Sequence, residues 1–146
     1  MVLGRLLPDD PGLARTARLS QQQMATAYFG QSACSNPDSP ACNRGAFPDR
    51  AAGPSGLYCE SIEQRLDAAR LATELGAGPV EAYLEFEAGA PFSAHVVLIT
   101  DLAADGTVEV LDPWPAFGRS YPRLAELHTN YNGGTWERSY VRFEAI

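Results

Sequence analysis

Three residues of this chain have side chains whose types and order suit nucleophilic catalysis: Cys59, His95 and Asp112. A thiolate attacks a carbonyl carbon, a histidine takes up the thiol proton, and a carboxylate orients the imidazole and stabilises its protonated form. Each of the three also has an ordinary structural role when it stands alone. A catalytic interpretation therefore depends on the helices and strands that would position these residues.

The sequence that follows Cys59 predicts a helix. In "ESIEQRLDAARLATELG", Ile62 and Leu66 begin an apolar stripe at helical spacing, and Gly76 is a typical stop. Cys59 would then lie at the helix start, where unpaired N–H groups and the helix dipole lower the pKa of a thiol. The backbone N–H of Cys59 would also stabilise an oxyanion. The structural alternative is a small buried side chain.

His95 opens one predicted strand and Asp112 closes the next. The segments "AHVVLIT" and "TVEVLD" are separated by "DLAADG", and the sequence leaves two registers open. A six-residue loop places His95 directly opposite Asp112. A two-residue turn at Asp105-Gly106 places Asp112 opposite Ile99 instead. A catalytic contact between His95 and Asp112 requires the longer loop.

The remaining patterns predict an α+β fold in a single domain, 1–146, with a helical, loop-rich part at 1–56 and a core at 57–146. In this core the helix that begins at the cysteine packs on an antiparallel sheet. Residues 9–30 predict one or two helices, and 30–56 predict a long irregular loop. "VEAYLEFE" alternates like a half-buried strand. "YPRLAELH" predicts a short helix, "NYNGG" a turn and "TWERSYVRFEAI" a final strand.

Composition argues against several classes of protein. The net charge is −7 and the 11 basic residues form no run, so we expect no nucleic-acid binding. The chain has no apolar stretch long enough to cross a bilayer and no secretory signal at its start, so we expect no membrane partner. The expected location is cytoplasmic, or a target cell reached through a secretion system.

With no CxxC pair and only His95 and His128, we expect no metal and no cofactor. His128 is predicted to be a surface residue.

The three cysteines suggest a division of roles. Cys34 and Cys42 share a segment rich in Gly, Pro and Ser, whereas Cys59 stands alone. A disulfide between Cys34 and Cys42 would anchor the loop and leave Cys59 as a thiol. Three reduced cysteines are the alternative.

The order and spacing of these residues resemble a known core. Gly56 and Cys59 precede the predicted helix, Gly76 follows it, and His95 and then Asp112-Pro113 come after. This arrangement, over residues 56–115, resembles the transglutaminase-like core of the papain-like superfamily. The resemblance implies a papain-like fold with Cys59 as nucleophile, His95 as base and Asp112 as the residue that orients the base.

The superfamily includes transglutaminases, protein glutamine deamidases, peptidases and toxin domains of bacterial effectors. The resemblance therefore implies thiol-dependent acyl transfer on carboxamides, with a glutamine deamidase-type effector or toxin domain preferred. The expected partners are a protein substrate and an inhibitor or immunity protein. A cysteine peptidase or amidase, a transglutaminase, and a non-catalytic protein-binding module of the same fold remain alternatives. Upstream glutamines (Gln21, Gln22, Gln23, Gln31) leave the oxyanion side chain open.

Overall fold

The computed structural model describes residues 26–36, 39–41, 46–53, 57–90, 93–114 and 116–145. Within them the fold is mixed α and β, with few helices and a six-stranded antiparallel sheet in the order β1-β6-β2-β3-β4-β5. The strands are β1 (Leu57–Ile62), β2 (Val80–Phe86), β3 (Ala94–Leu102), β4 (Val108–Leu111), β5 (Arg119–Ser120) and β6 (Gly134–Ala145).

Three short helices accompany the sheet in the described part of the chain: α1 (Pro48–Ala52), α2 (Ala68–Leu75) and α3 (Leu124–Thr129). Residues 26–29 are also helical, at the end of the predicted N-terminal helical segment, most of which lies outside the described residues. Among the described helices, none has the length and apolar character that a membrane span requires.

Internal contacts divide the described chain into two compact units. The first contains the described residues up to Cys59 together with Phe143–Ala145, and the second contains Glu60–Arg142. His95 and Asp112 belong to the second unit, and Cys59 belongs to the first. The contacts described below as a candidate site all lie within the second unit.

The predicted helix after Cys59 is wrong in its first half. Residues 60–62 continue strand β1, and helix α2 begins only at Ala68. Asp67 determines this start, because its side chain accepts a hydrogen bond from the Arg70 backbone N–H at 2.8 Å, a typical N-cap. Cys59 therefore lies on a strand, and the prediction that a helix carries the cysteine is wrong. The helix dipole cannot be the reason for a reactive thiol.

The core lies on one face of the sheet. Val80, Ala82 and Leu84 alternate along β2 with side chains on the opposite face, as the sequence predicts, and all three are buried. Helix α2 packs against β2 and β3. The hydrophobic core on this face combines residues of the central strands with Leu71 of α2 and Leu124 and Leu127 of α3. This core includes Tyr131, which contacts the candidate site described below.

Both predicted registers of β3 and β4 are wrong. Ile99 pairs with Val110, whereas Leu102 pairs with Val108, so a β-bulge shifts the register by one residue between these pairs. Because Leu98 pairs with Leu111, the next residue, Asp112, lies level with Val97. His95 is two residues from Val97 and shares its face. The two side chains therefore meet diagonally across the strands.

The other predicted elements have mixed outcomes. The predicted irregular loop at 30–56 contains helix α1, so that prediction is wrong in this part. The predicted short helix is confirmed as α3, but it begins after Pro122, because the Glu126 side chain accepts the Arg123 backbone N–H at 3.0 Å. The final strand is confirmed as β6. Strand β5 has only two residues, too few for an alternating pattern, so the sequence analysis did not predict it.

Candidate functional site

His95 and Asp112 form a close hydrogen-bonded pair. The distance from His95 Nε2 to Asp112 Oδ1 is 2.6 Å, which is short even for a charge-assisted hydrogen bond. The Asp112 side chain is 0% exposed and the His95 side chain 12% exposed. A carboxylate only accepts hydrogen bonds, so the network assigns the hydrogen to Nε2 and leaves Nδ1 as the nitrogen that accepts a proton.

Two further donors fix the Asp112 carboxylate. The Trp114 backbone N–H donates to Oδ1 at 2.8 Å, and the Tyr131 hydroxyl donates to Oδ2 at 3.0 Å. The Asp112 backbone N–H donates to Gly118 O at 2.8 Å and closes the loop that follows β4. A buried carboxylate is costly unless it is hydrogen-bonded, so these two donors and His95 together stabilise the Asp112 side chain in place.

The sequence analysis did not identify Tyr131. This residue lies between α3 and β6 and exchanges two backbone hydrogen bonds with Gly134, at 2.9 and 2.8 Å. Burial, and with it the nearby Asp112, raises the pKa of Tyr131 to about 12. The phenol therefore stays protonated and remains a donor to Asp112. Within "NYNGG" the residue has only turn-forming neighbours, so no periodic pattern could have indicated its contact.

The arrangement supports acid–base chemistry at His95. Asp112 holds the ring in one orientation and stabilises the imidazolium that forms when Nδ1 takes up a proton. The ring is mostly buried but still reaches the surface, which a proton-transfer group requires. The pair therefore has the geometry of a general base and its orienting acid.

Cys59 has a different setting. Its side chain is 5% exposed, on strand β1 of the first unit, and it is outside any disulfide. Cys34 is buried and disulfide-bonded. Cys42, its predicted partner, lies outside the described residues, and so do Gln21, Gln22 and Gln23. The assignment of Cys59 as the nucleophile for His95 and Asp112 stays a prediction.

His128, the other histidine, has a structural setting. Its Nε2 lies 2.7 Å from Leu66 O, and its ring centroid lies 5.4 Å from that of Trp136. His128 is half-buried, so the predicted surface position is confirmed only in part. No carboxylate contacts its ring in the part of the chain that the structure describes, and it serves as an internal control for His95.

An aromatic groove lies beside the His95–Asp112 pair. Two of its side chains, Trp114 and Phe117, are exposed by 44% and 38%. The groove has a volume of about 360 Å³ and is lined by Phe86, Glu87, Ala88, Ala90, Trp114, Phe117, Asn132 and Gly133. Trp114 connects the groove to the site, because its backbone N–H is one of the donors to Asp112.

Among the described residues, no three His, Cys, Asp or Glu side chains are grouped so that they could hold a metal ion. Comparison with known proteins adds no family: no protein-family model matches the chain, and no curated protein matches it. The functional interpretation therefore depends on the site itself.

Proposed function

We propose that this chain is a papain-like, thiol-dependent acyl-transfer enzyme that acts on carboxamides. His95 is the general base, Asp112 orients it, and Cys59 is the nucleophile. The observation that supports the proposal most is the contact between His95 and a fully buried carboxylate with two further donors. A histidine held in this way is oriented for proton transfer as a general base.

The proposed reaction has two stages. In the first, the Cys59 thiol proton moves to Nδ1 of His95, and the thiolate adds to the carboxamide carbon. The imidazolium then returns the proton to the nitrogen that leaves as ammonia or an amine, which produces a thioester. In the second stage, His95 takes a proton from water, hydroxide adds to the thioester, and the acid and the thiol are released.

The preferred carboxamide is a glutamine side chain of a protein substrate, which makes the chain a deamidase-type effector or toxin domain. This preference comes from the order and spacing of Cys59, His95 and Asp112, which resemble those of the transglutaminase-like core. It does not depend on the helix that was predicted to begin at Cys59, where the structure has strand β1. Proteolysis and cross-linking use the same first stage and differ in the leaving amine or in the group that resolves the thioester. An inhibitor or immunity protein is the corresponding partner.

The reaction type is tested by incubation with a mixture of glutamine-containing proteins, followed by mass spectrometry. Deamidation converts glutamine to glutamate, proteolysis produces new termini, and transglutamination produces linked peptides. Detection of the first supports the full proposal. Detection of either of the others keeps the thiol chemistry and replaces the preferred substrate.

The roles of the residues are tested with variants. We expect His95→Ala to abolish turnover and to slow the alkylation of Cys59 by iodoacetamide, because the thiol proton loses its acceptor. His128→Ala is the matched control and should leave turnover per folded molecule unchanged. Cys59→Ala should abolish turnover. Full activity of Cys59→Ala would exclude the thiol mechanism, whereas inactivity of the wild-type protein together with slow alkylation would favour a binding module.

A further inference from the structure

The groove beside Asp112 combines aromatic rings with a carboxylate. Trp114, Phe117 and Phe86 supply the rings, and Glu87 lies at the edge with an exposed side chain. No basic side chain in the described part of the chain forms an ion pair with Glu87. The groove therefore presents aromatic surface and one negative charge to solvent.

The walls of the groove are held by the backbone. Phe117 N–H and Gly118 N–H both donate to Trp114 O, at 3.0 and 3.2 Å, which fixes the loop that presents the two exposed rings. On the other side the Phe86 ring lies against Gly134, where an added Cβ would come within 2.5 Å of the ring. Because Gly134 has no side chain, Phe86 can lie across β6 and form a wall of the groove.

We propose that this groove binds an arginine side chain of the substrate, next to the carboxamide that reacts at His95. The inference rests on the proposed function and specifies its substrate class as basic protein segments. A guanidinium is planar and weakly hydrated, so it stacks on aromatic faces while its N–H groups pair with a carboxylate. An aliphatic side chain would pack against the rings but would not pair with the Glu87 carboxylate.

The charge of the chain favours a cation over an apolar occupant, and the position of the groove favours an occupant that belongs to the substrate. The chain has a net charge of −7, which attracts basic segments before they bind. The groove is also directly linked to the site, since Trp114 supplies a ring to the groove and a backbone donor to Asp112. An arginine bound there would therefore hold a neighbouring part of the substrate close to His95.

The test measures binding without turnover. The full chain with Cys59→Ala is titrated with N-acetyl-arginine amide, N-acetyl-citrulline amide and N-acetyl-leucine amide, and the groove backbone signals are followed by NMR. Citrulline has nearly the shape of arginine without its charge. We expect arginine amide to bind several-fold more tightly than the other two, and its advantage to shrink as salt increases.

Variants locate the site of binding. Glu87→Gln should weaken arginine binding about three-fold, as for an exposed ion pair, and leave leucine binding unchanged. Trp114→Ala should weaken it about ten-fold. Glu85→Gln is the matched control, because Glu85 is also exposed, on nearby strand β2, but does not line the groove.

These experiments distinguish a failure of the arginine assignment from a failure of the proposed reaction. Equal binding of the three amides, no binding of any of them, or an unchanged affinity in Glu87→Gln would overturn the arginine assignment even in an active enzyme. Arginine binding by a protein whose wild-type form shows no turnover would instead overturn the link to the proposed reaction. Selective binding with turnover on arginine-flanked glutamines supports both.

Discussion

Two buried carboxylates of the second unit are stabilised in different ways. Glu74 has a side chain that is 1% exposed, and it contacts Arg70 at 2.6 Å and Arg142 at 3.0 Å. Asp112 is buried as fully, but its side-chain partners are a histidine and a phenol. Both arrangements satisfy the carboxylate, and only the second includes an imidazole, a group that can act as a general base.

This difference indicates which carboxylate belongs to a site. Two guanidinium groups keep their charge at every physiological pH, so Glu74 forms a static ion cluster that also fixes the end of α2. Arg142, which joins Glu74 to Glu60, has a φ of 55°, a strained value for a residue with a side chain. Asp112 instead accepts a hydrogen bond from His95, whose ring reaches the surface. The first arrangement suits stability, and the second is the arrangement that the proposed proton transfer requires.

A third buried carboxylate sharpens this comparison and gives the largest expected effect on stability. Oε2 of Glu81 has no hydrogen-bond partner among the described residues, and burial raises the pKa of Glu81 from 4.5 to about 8. The folded state therefore binds this proton more tightly than the unfolded state does. The associated stability is fully present below about pH 4.5 and is lost as the pH rises through about 8.

The prediction is tested with Glu81→Gln. Each unit of pKa shift corresponds to about 1.4 kcal/mol, so the wild-type protein should lose a few kcal/mol between pH 5 and pH 9 relative to the variant. Chemical unfolding at a series of pH values measures this difference. Glu85→Gln, an exposed position on the same face of β2, should show no such divergence. Parallel pH profiles for the wild type and Glu81→Gln would mean that Glu81 has a partner when it ionises.

Glu74→Gln is expected to have a smaller effect. The change removes the buried negative charge and one of the two acceptor oxygens that the guanidinium groups share, but both arginines are about half exposed and recover much of their hydration. The free energy of unfolding should therefore fall by about 2 kcal/mol. Turnover per folded molecule should not change. Urea unfolding measures the loss, and Glu60→Gln, which removes the exposed partner of Arg142, should cost about 0.5 kcal/mol. Equal losses in the two variants would contradict the role assigned to burial.

The sequence predicted the strands of the site more successfully than its geometry. Alternation of apolar residues indicated β2, β3 and β4, and so placed His95 and Asp112 on neighbouring strands. The bulge between Ile99 and Asp101 has no signature in "LITDL", so neither predicted register was right. A bulge depends on how two strands fit together, and local periodicity contains no information about that fit.

The errors at Cys59 and Tyr131 have a similar origin. Ile62 and Leu66 fit a helical stripe as well as they fit a strand end followed by a loop, and only the cap at Asp67 fixes where the helix begins. Tyr131 contacts Asp112 across 19 positions of sequence. Contacts of this kind result from packing of the whole unit, so a pattern of neighbours along the chain does not predict them.

Tyr131→Phe gives the smallest expected effect and tests how Asp112 acts on His95. The variant removes the hydrogen bond to Oδ2 and keeps the ring. Loss of one hydrogen bond to a charged group should cost about 1 to 2 kcal/mol of stability. The variant also leaves the carboxylate that orients His95 with one hydrogen-bond donor fewer. We therefore expect the His95 ring to be held less firmly and turnover per folded molecule to fall.

NMR signals of the two histidine rings, recorded at one fixed pH, separate this effect from a structural one. His128 contacts Leu66 O and the Trp136 ring, so its signals should stay unchanged in Tyr131→Phe, whereas those of His95 should move. Tyr121→Phe is the matched control, because the Tyr121 hydroxyl makes a long, exposed contact of 3.4 Å with Glu109. A general loosening of the fold would move the signals of both histidines, and a purely structural Tyr131 would lower stability and leave turnover per folded molecule unchanged. A change at His95 alone, together with lower turnover, would mean that Asp112, unlike Glu74, acts through a catalytic partner.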